Sequence, residues 1–309
     1  MASHRRLEAG FALLLVIWVV AILAVLAAGF ALTTRSESEL ARNLLAAARA
    51  RALAEAGAAR AAAALLDADP RRQWRADGRP YALALEGGSL RIRIEDEDGK
   101  IDLNAAPPAL ITGLCAELGI DGGVAAALVD DIVARRQAAA AASAPDALGA
   151  RLELGPALGL GTPAMQSRQS AAFSTVDELR EIPELDQASF ERLRPFLTVY
   201  SASPRIDPAV APREVLLAVP GIDPREVDRL LAARAAATDA AEPLPALTGV
   251  DLYVARGLMR AATIIAEART ADGAAFTRRA VVAFTGIPLA PLEMLEWRQD
   301  LDAPDFAER

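Results

Sequence analysis

Side chains that commonly carry out catalysis are scarce in this chain of 309 residues, which has one histidine, His4, and one cysteine, Cys115. A single histidine close to the start leaves no material for a histidine-based catalytic triad or for most zinc sites. One cysteine excludes an intramolecular disulfide. Because Cys115 shares a helical apolar pattern with Leu110 and Leu114, we expect it to be a small buried residue. These counts argue against an enzyme.

Acidic side chains are the remaining candidates for chemistry, because Ca²⁺ takes about six to eight oxygen ligands. Asp96 and Asp98 fall in one acidic run, and Asp130 and Asp131 fall in another. We consider these four residues calcium candidates, beside the ordinary interpretation of such runs as a solvated turn or helix face. The net charge of −8 argues against a nucleic-acid partner, since binding nucleic acid needs a basic surface.

Two segments in the middle of the chain, 173–186 and 211–223, each predict a helix pair joined by a tight turn that contains proline. They resemble the helix-hairpin-helix unit of DNA-binding proteins, in which a glycine-rich turn presents backbone N–H groups to phosphate. Here Asp223 and Asp186 end the two turns, and their carboxylates would repel a phosphate. We therefore favour structural helix pairs, and a membrane-anchored DNA-binding protein of a competence-type apparatus is the alternative.

The first predicted element of the chain is a helix that contains an uncharged apolar run of 22 residues, 11–32. Arg5 and Arg6 precede this run. A membrane-spanning helix needs roughly 20 such residues, and the preceding arginines predict a cytoplasmic N-terminus. The run is too long for the apolar part of a signal peptide. Helix-forming residues continue without proline to Leu66, so we expect one helix of about 84 Å at 1.5 Å per residue. A plain membrane anchor has no need of that length.

Strands are predicted on both sides of a helical block. Alternating residues predict one hairpin from 81–86 and 89–94, and the turn signal at 270–273 predicts a second from 258–268 and 274–284. We expect helices at 108–118, 122–136, 175–181, 187–194, 212–218 and 223–235. The Ala-, Gly- and Pro-rich stretch 137–172 predicts a long loop. This order indicates one sheet domain interrupted by an inserted helical domain.

The N-terminal pattern resembles the type IV pilins and the pseudopilins of type II secretion. The shared features are a short basic leader that ends in Gly10, then Phe11, an apolar span and a long amphipathic continuation. In that family a prepilin peptidase cuts after the glycine, which implies cleavage between Gly10 and Phe11 and N-methylation of Phe11. Most members carry Glu at the fifth mature position. The corresponding residue here is Leu15, a departure shared by the minor pseudopilin K subgroup.

Further segments resemble minor pseudopilin K in order along almost the whole chain, namely 98–104, 173–180, 194–200, 206–216 and 295–298. The resemblance implies an α+β, pilin-like fold in which a long N-terminal helix packs on an antiparallel sheet. An inserted all-α domain of helix-hairpin-helix or SAM-like type interrupts this fold. The expected parts are a leader (1–10), a transmembrane stretch (11–32), a periplasmic helix (33–66), a pilin-like domain (67–103 and 256–309) and the insertion (104–255).

The resemblance also implies a function. Minor pseudopilin K is a non-enzymatic component at the tip of the type II secretion pseudopilus, which exports folded proteins across the outer membrane. Implied partners are the other minor pseudopilins (I and J types, with H), the prepilin peptidase and the inner-membrane assembly platform, with no nucleic acid. The implied location is the inner membrane, crossed once, with a cytoplasmic N-terminus and a periplasmic bulk.

The residues that bind calcium in some minor pseudopilins K differ in this chain. Some members hold calcium in the insertion near an Asp-Trp-Arg-Asp stretch. The corresponding residues here are Ala134-Arg135-Arg136-Gln137. We therefore expect no resident cofactor, with the four acidic candidates as the only calcium ligands to consider.

Overall fold

A computed structural model of the chain describes residues 4–67, 69, 72–85, 87–142, 171–237 and 243–300, with side chains in the first helix for 15–27, 37 and 39–65. That helix, α1, runs from His4–Leu65. The helices that follow are α2 (Pro108–Glu117), α3 (Gly122–Ala142), α4 (Gln187–Leu193), α5 (Arg213–Leu217) and α6 (Pro224–Ala236). The strands are β1 (Asp77–Leu85), β2 (Gly88–Asp96), β3 (Ile101–Asp102), β4 (Leu197–Thr198), β5 (Ala261–Thr270), β6 (Ala275–Phe284) and β7 (Leu292–Gln299).

Strands from both ends of the chain form one antiparallel sheet in the order β1-β2-β5-β6-β7. The β1–β2 and β5–β6 hairpins confirm the two that the sequence predicts. β2 pairs directly with β5, with Glu95 opposite Thr263, so everything between these strands is an excursion from the sheet. The domain boundaries at 103/104 and 255/256 stay predictions.

Alanine allows α1 to lie close to the sheet. Ala50, Ala54, Ala58 and Ala61 recur every three or four residues and are fully buried or 1 % exposed, which places them on one helical face. This face meets the apolar side of the sheet, which includes Ile92, Ile94, Ile264 and Val282. A Cβ on Gly57 would lie 2.7 Å from Leu90 Cδ2. Glycine at this position therefore permits a close approach between helix and sheet.

The N-terminal part of α1 extends beyond the sheet. Leu15 and Trp18 are 55 % and 71 % exposed, and Leu40 and Leu44 are also exposed. Among the residues whose side chains the structure describes, which in the apolar run of α1 are 15–27, no helical stretch is long and apolar enough to cross a membrane.

The insertion has a hydrophobic core of its own, separate from the core between α1 and the sheet. Its core contains Leu110, Leu128, Phe190 and many further apolar residues between Ile101 and Val250. Cys115 is buried there, as predicted. Side chains alternate across a strand, so Glu296 on β7 points away from α1, and its carboxylate accepts a hydrogen bond from Tyr200 Oη at 2.7 Å. The sheet thus carries α1 on one face, and the insertion contacts its other face through Tyr200.

Three sequence predictions need correction. The stretch expected to be a loop from Gln137 begins as helix, because the alanine-rich residues up to Ala142 extend α3; 143–170 lie outside the described residues. The expected helix at 175–181 is a 3-10 helix, Val176–Glu181, with a capping box from Thr175 and Glu178. β7 was not predicted, since a bulge opposite Val281/Val282 interrupts its alternation.

Gly113 tests the packing inside the insertion. A Cβ at this position would lie 2.0 Å from the carbonyl oxygen of Ala218, so Gly113→Ala must push α2 away from the residues that follow α5. We expect the free energy of unfolding to fall by about 1–3 kcal/mol, measured by denaturant titration of the full chain in detergent.

The control is Gly122→Ala at the start of α3, where a Cβ would meet nothing within 4 Å. This exposed change should stay within about 0.5 kcal/mol of the parent protein. Equal effects of the two substitutions would contradict the close packing of α2.

Candidate functional site

The polypeptide crosses between sheet and insertion at one place, which we call the junction and define as residues 96–102, 197–211 and 254–263. After β2 the chain makes a 3-10 turn at Glu97–Gly99 and enters β3, which pairs in parallel with β4. On the way back, Ile206 forms a parallel bridge with Val254. The junction therefore fixes how the insertion sits on the sheet.

Glu97 is the centre of the junction and is 1 % exposed. Its carboxylate accepts hydrogen bonds from Lys100 Nζ at 2.8 Å and Thr263 Oγ1 at 2.6 Å, and a further one from Thr198 Oγ1. Thr198 belongs to the insertion and Thr263 to the sheet, so one carboxylate connects both layers. Lys100 Nζ also lies 3.1 Å from the carboxylate of Glu95.

The charges of this group stabilise one another. Burial disfavours the charged ammonium of Lys100, but the carboxylates of Glu97 and Glu95 outweigh burial and raise its pKa. Burial likewise opposes ionisation of Glu95, but the charge and hydrogen bond of Lys100, together with the charges of Arg279 and Arg93, outweigh burial and lower the pKa of Glu95. Lys100 and Glu95 are therefore both favoured in their ionised forms, and a buried ion pair is tolerated when its charges have such partners.

Asp102 closes the insertion side of the junction. Its carboxylate accepts from the amides of Asn104 at 2.7 Å and Ala202 at 2.9 Å and from Ser201 Oγ at 3.1 Å. Burial raises the pKa of Asp102 against the effect of these donors. The neighbouring Asn104 exchanges two hydrogen bonds with the backbone of Phe173, which holds a distant segment of the insertion to the same turn.

Asp98 and Asp207 hold the returning chain. Asp98 Oδ2 accepts from the amides of Leu258 and Met259, both at 3.1 Å, and Asp207 Oδ2 accepts from the amide of Gly257 at 2.8 Å. The two aspartates are themselves connected, because the amide of Asp207 donates to the carbonyl of Asp98 at 2.7 Å. A Cβ on Gly257 would lie 2.4 Å from Asp98 Oδ2, so glycine permits this close approach.

The calcium candidates do not come together as a metal site. Asp96 and Asp98 are buried in the junction, whereas Asp130 is exposed on α3. Asp131 on α3 pairs with Arg135 at 2.7 Å. No group of three or more Asp, Glu, His or Cys side chains within the described ranges is arranged to hold a metal ion, so the geometry gives the calcium hypothesis no support.

The helix-hairpin-helix-like turns carry their own anions. Gly221 has φ +78 and makes the turn before α6, but the Asp223 carboxylate caps that helix by accepting from the amide of Arg225 at 2.9 Å. The Asp186 carboxylate caps α4 in the same way through the amide of Ser189 at 2.7 Å. Carboxylates therefore stand at the helix N-termini where such modules would bind phosphate.

A contact that sequence reasoning missed fastens α1 to the sheet. Arg278, 5 % exposed, forms an ion pair with Glu55 of α1, and its guanidinium carbon lies 5.0 Å from the ring centroids of both Phe276 and Trp297. A basic residue between apolar positions of a predicted strand was the available signal. Gly10 and Phe11 lie within the bounds of α1, but their side chains are outside the description, and Leu15 is exposed.

Replacing Glu97 tests the junction. In Glu97→Ala, Lys100 and the two threonine hydroxyls lose a common acceptor in a buried place, and we expect a loss of about 3–5 kcal/mol in the free energy of unfolding. Denaturant titration at neutral pH measures it. Glu117→Ala, an exposed glutamate on α2, is the control and should be nearly silent; a comparably small effect at Glu97 would contradict the central role of its carboxylate.

We compared the chain with known protein families, curated proteins and solved structures. No protein-family model and no curated protein matches the sequence. Among solved structures, a chain of the GspK-GspI-GspJ complex from the enterotoxigenic Escherichia coli Type 2 Secretion System matches with a TM-score of 0.50 and 15% sequence identity. The match covers 86% of this chain and 99% of that chain. The chain thus has the α+β pilin-like fold with a helical insertion, and at the level of fold the comparison supports the resemblance to minor pseudopilin K.

Proposed function

We propose that this chain is a K-type minor pseudopilin, a structural component at the tip of a type II secretion pseudopilus that helps folded proteins leave through the outer membrane. The observation that carries the proposal is the match in fold over 86% of this chain and 99% of the chain from the GspK-GspI-GspJ complex. Five sequence segments that resemble minor pseudopilin K stand in the same order along the chain. The partners that we propose are the other minor pseudopilins, of I and J types with H.

We also propose that the protein is held in the inner membrane by the N-terminal part of α1, with its bulk in the periplasm. The support is the uncharged run of 22 residues at 11–32 and the arginines Arg5 and Arg6 before it. The prepilin peptidase and the inner-membrane assembly platform are the further partners that this processing route requires. The sequence Gly10-Phe11 is the cleavage site in this proposal.

Position at the tip follows from what this subunit lacks and what it carries. In other pilins a glutamate at the fifth mature position engages the terminal amine of a neighbouring subunit, and here that residue is Leu15. The insertion adds a bulky helical unit with its own core between Ile101 and Val250. A subunit without the assembly charge and with this additional bulk is suited to be the first of the filament.

A non-enzymatic role is consistent with the residues. The one histidine, His4, precedes the proposed cleavage site, and the buried acids of the junction bind backbone amides of their own chain. The DNA-binding alternative has no observation in its favour, because Asp223 and Asp186 occupy the helix N-termini.

Processing can be tested in a host that carries a prepilin peptidase. Mass spectrometry of the purified protein should find a mature chain that begins with methylated Phe11. Gly10→Leu should block cleavage, because the peptidase recognises the glycine, whereas Ala9→Leu should leave it intact. A chain that retains Met1, or one that begins near Phe30, would remove the basis of the family assignment.

The role of Leu15 can be tested in a pseudopilus assembly assay. Leu15→Glu restores the missing carboxylate, and we expect the variant to enter positions below the tip and to reduce secretion at least severalfold, since it competes with ordinary subunits. Leu15→Gln has similar size without the charge and should behave as the parent protein. If Leu15→Glu leaves tip placement and secretion unchanged, the charge argument for the tip position is wrong.

A further inference from the structure

Three buried carboxylates belong to the junction. Asp96, Asp98 and Asp207 are 9%, 3% and 6% exposed. They come from separate segments, the end of β2, the 3-10 turn and the returning chain, and the amide of Asp98 donates to Asp96 Oδ1 at 2.9 Å. Among the residues that the structure describes, no lysine or arginine nitrogen lies within ion-pair distance of these carboxylates. Glu97, one residue away, differs because Lys100 neutralises it.

One oxygen of this group has no partner. Asp98 Oδ1 is buried without a hydrogen bond, whereas Asp98 Oδ2 accepts from two amides. An ionised carboxylate accepts hydrogen bonds only, so three ionised aspartates supply no donor for that oxygen. A buried charge that lacks both a cation and its hydrogen bonds is costly, and such groups become neutral by taking up a proton. With no metal-holding group in the described part of the chain, a proton is the fitting neutraliser.

We propose that Asp96, Asp98 and Asp207 hold a proton that fastens the insertion to the sheet, and that the junction loosens when this proton is lost above neutral pH. We call this proton and the three aspartates the latch. Its opening is local, because it separates only the residues that are hydrogen-bonded to one another across the junction. The amide of Asp207 donates to the carbonyl of Asp98, and the amides of residues 257–259 donate to the carboxylates of Asp98 and Asp207.

The surrounding charges agree with a bound proton on Asp96. Burial, and after it the negative charges of Asp98, Asp207 and Glu97, raise the pKa of Asp96 to about 7. Burial also raises the pKa of Asp98, with Asp207 adding to the rise, while the amides of Leu258 and Met259 and the charge of Arg260 oppose it.

The nearby cations are engaged with other groups. Arg234 of α6 interacts electrostatically with Asp77, Asp207 and Arg79. Its Nη1, however, donates to the carbonyl of Ala211 at 2.6 Å. Arg260 likewise donates to the carbonyl of Ala202 at 3.0 Å. Neither cation is placed to replace the proton.

The sign of the pH dependence follows from the proton count. An unfolded aspartate has a pKa of about 3.9, so between about pH 4 and pH 7 the closed junction binds a proton that the opened one does not. Stability that depends on this proton is complete below pH 4, falls as pH rises through that window and is lost above about 7. Between pH 6 and pH 8 the opening equilibrium should increase on the order of tenfold.

Hydrogen–deuterium exchange of the full chain in detergent micelles measures this opening. The reporters are the amides of Gly257, Leu258 and Met259, with each rate divided by that of an unstructured peptide at the same pH. We expect corrected rates about tenfold higher at pH 8 than at pH 6, and no such rise at the amides of β5 and β6. Corrected rates at the three reporters that do not change with pH would overturn the proposal.

Asp96→Asn separates the proton from the shape of the side chain, since the amide stays neutral at every pH and still accepts from Asp98. In this variant the reporters should remain slow at pH 8, which a purely structural role of Asp96 would not produce. Asp130→Asn, on an exposed carboxylate of α3, is the matched control and should keep the parent pH profile. Retention of that profile in Asp96→Asn would also overturn the proposal.

A measurement on the unmodified protein covers the case in which Asp96→Asn does not fold. Infrared difference spectra should show the carbonyl band of a buried protonated carboxyl group at pH 5.5, and this band should disappear by pH 8.5. Absence of the band at pH 5.5 would overturn the proposal. Processing at Gly10 or placement in a pseudopilus is not required by either result, so the latch and the proposed function can fail separately.

Discussion

Burial of the Glu97 charge is the constraint on which the arrangement of layers depends. A buried carboxylate is stable only with matched partners, and those of Glu97 come from the connection (Lys100), the insertion (Thr198) and the sheet (Thr263). All three donors reach it only when β2 and β5 keep their register and β4 lies beside β3. The same charge therefore specifies where the insertion leaves the sheet and how it rests on it.

The opposite face of the sheet binds α1, a long helix of which only a part contacts the strands. Alanines such as Ala54 and Ala58 bury little area each, but they bring the helix backbone close to the strands. Arg278 adds an ion pair to Glu55 and aromatic contacts with Phe276 and Trp297. Close approach and one buried arginine thus hold α1, which leaves its N-terminal part outside the fold for other contacts.

Local patterns predicted most elements of the fold, because a strand or helix is encoded by its own residues. The two hairpins, α1 and the buried Cys115 follow from alternation, helix propensity and an apolar helical pattern. β7 was missed since its bulge breaks the alternation, and its pairing with β6 is decided by the sheet already present. The extension of α3 to Ala142 was missed because alanine repeats favour both helix and low-complexity loop.

The candidate site was harder to predict because its residues acquire their character from distant partners. The acidic run that begins at Asp96 forms a turn, as such a run indicates, but in the sequence alone its acids look like solvated or calcium-binding groups. Thr263 is far away in sequence and becomes a neighbour only through the pairing of β2 with β5. Nothing local distinguishes the buried Asp98 from the exposed Asp130. A sequence can indicate that acids cluster, whereas their burial depends on the assembled sheet.

The helix pairs of the insertion resemble a unit of DNA-binding proteins, but carboxylates of the same chain occupy their helix N-termini. In each helix pair, the turn ends in an aspartate, Asp186 or Asp223, that caps the second helix. The carboxylate binds a backbone amide that a phosphate would need. The helices between them bury Phe190, Leu193 and Val215 in one core. A carboxylate supplied within the chain satisfies the helix N-terminus permanently, so the unit requires no anionic ligand to be stable. Its remaining surface is then available to hold the insertion on the sheet and, in the proposed assembly, to occupy the space above a filament.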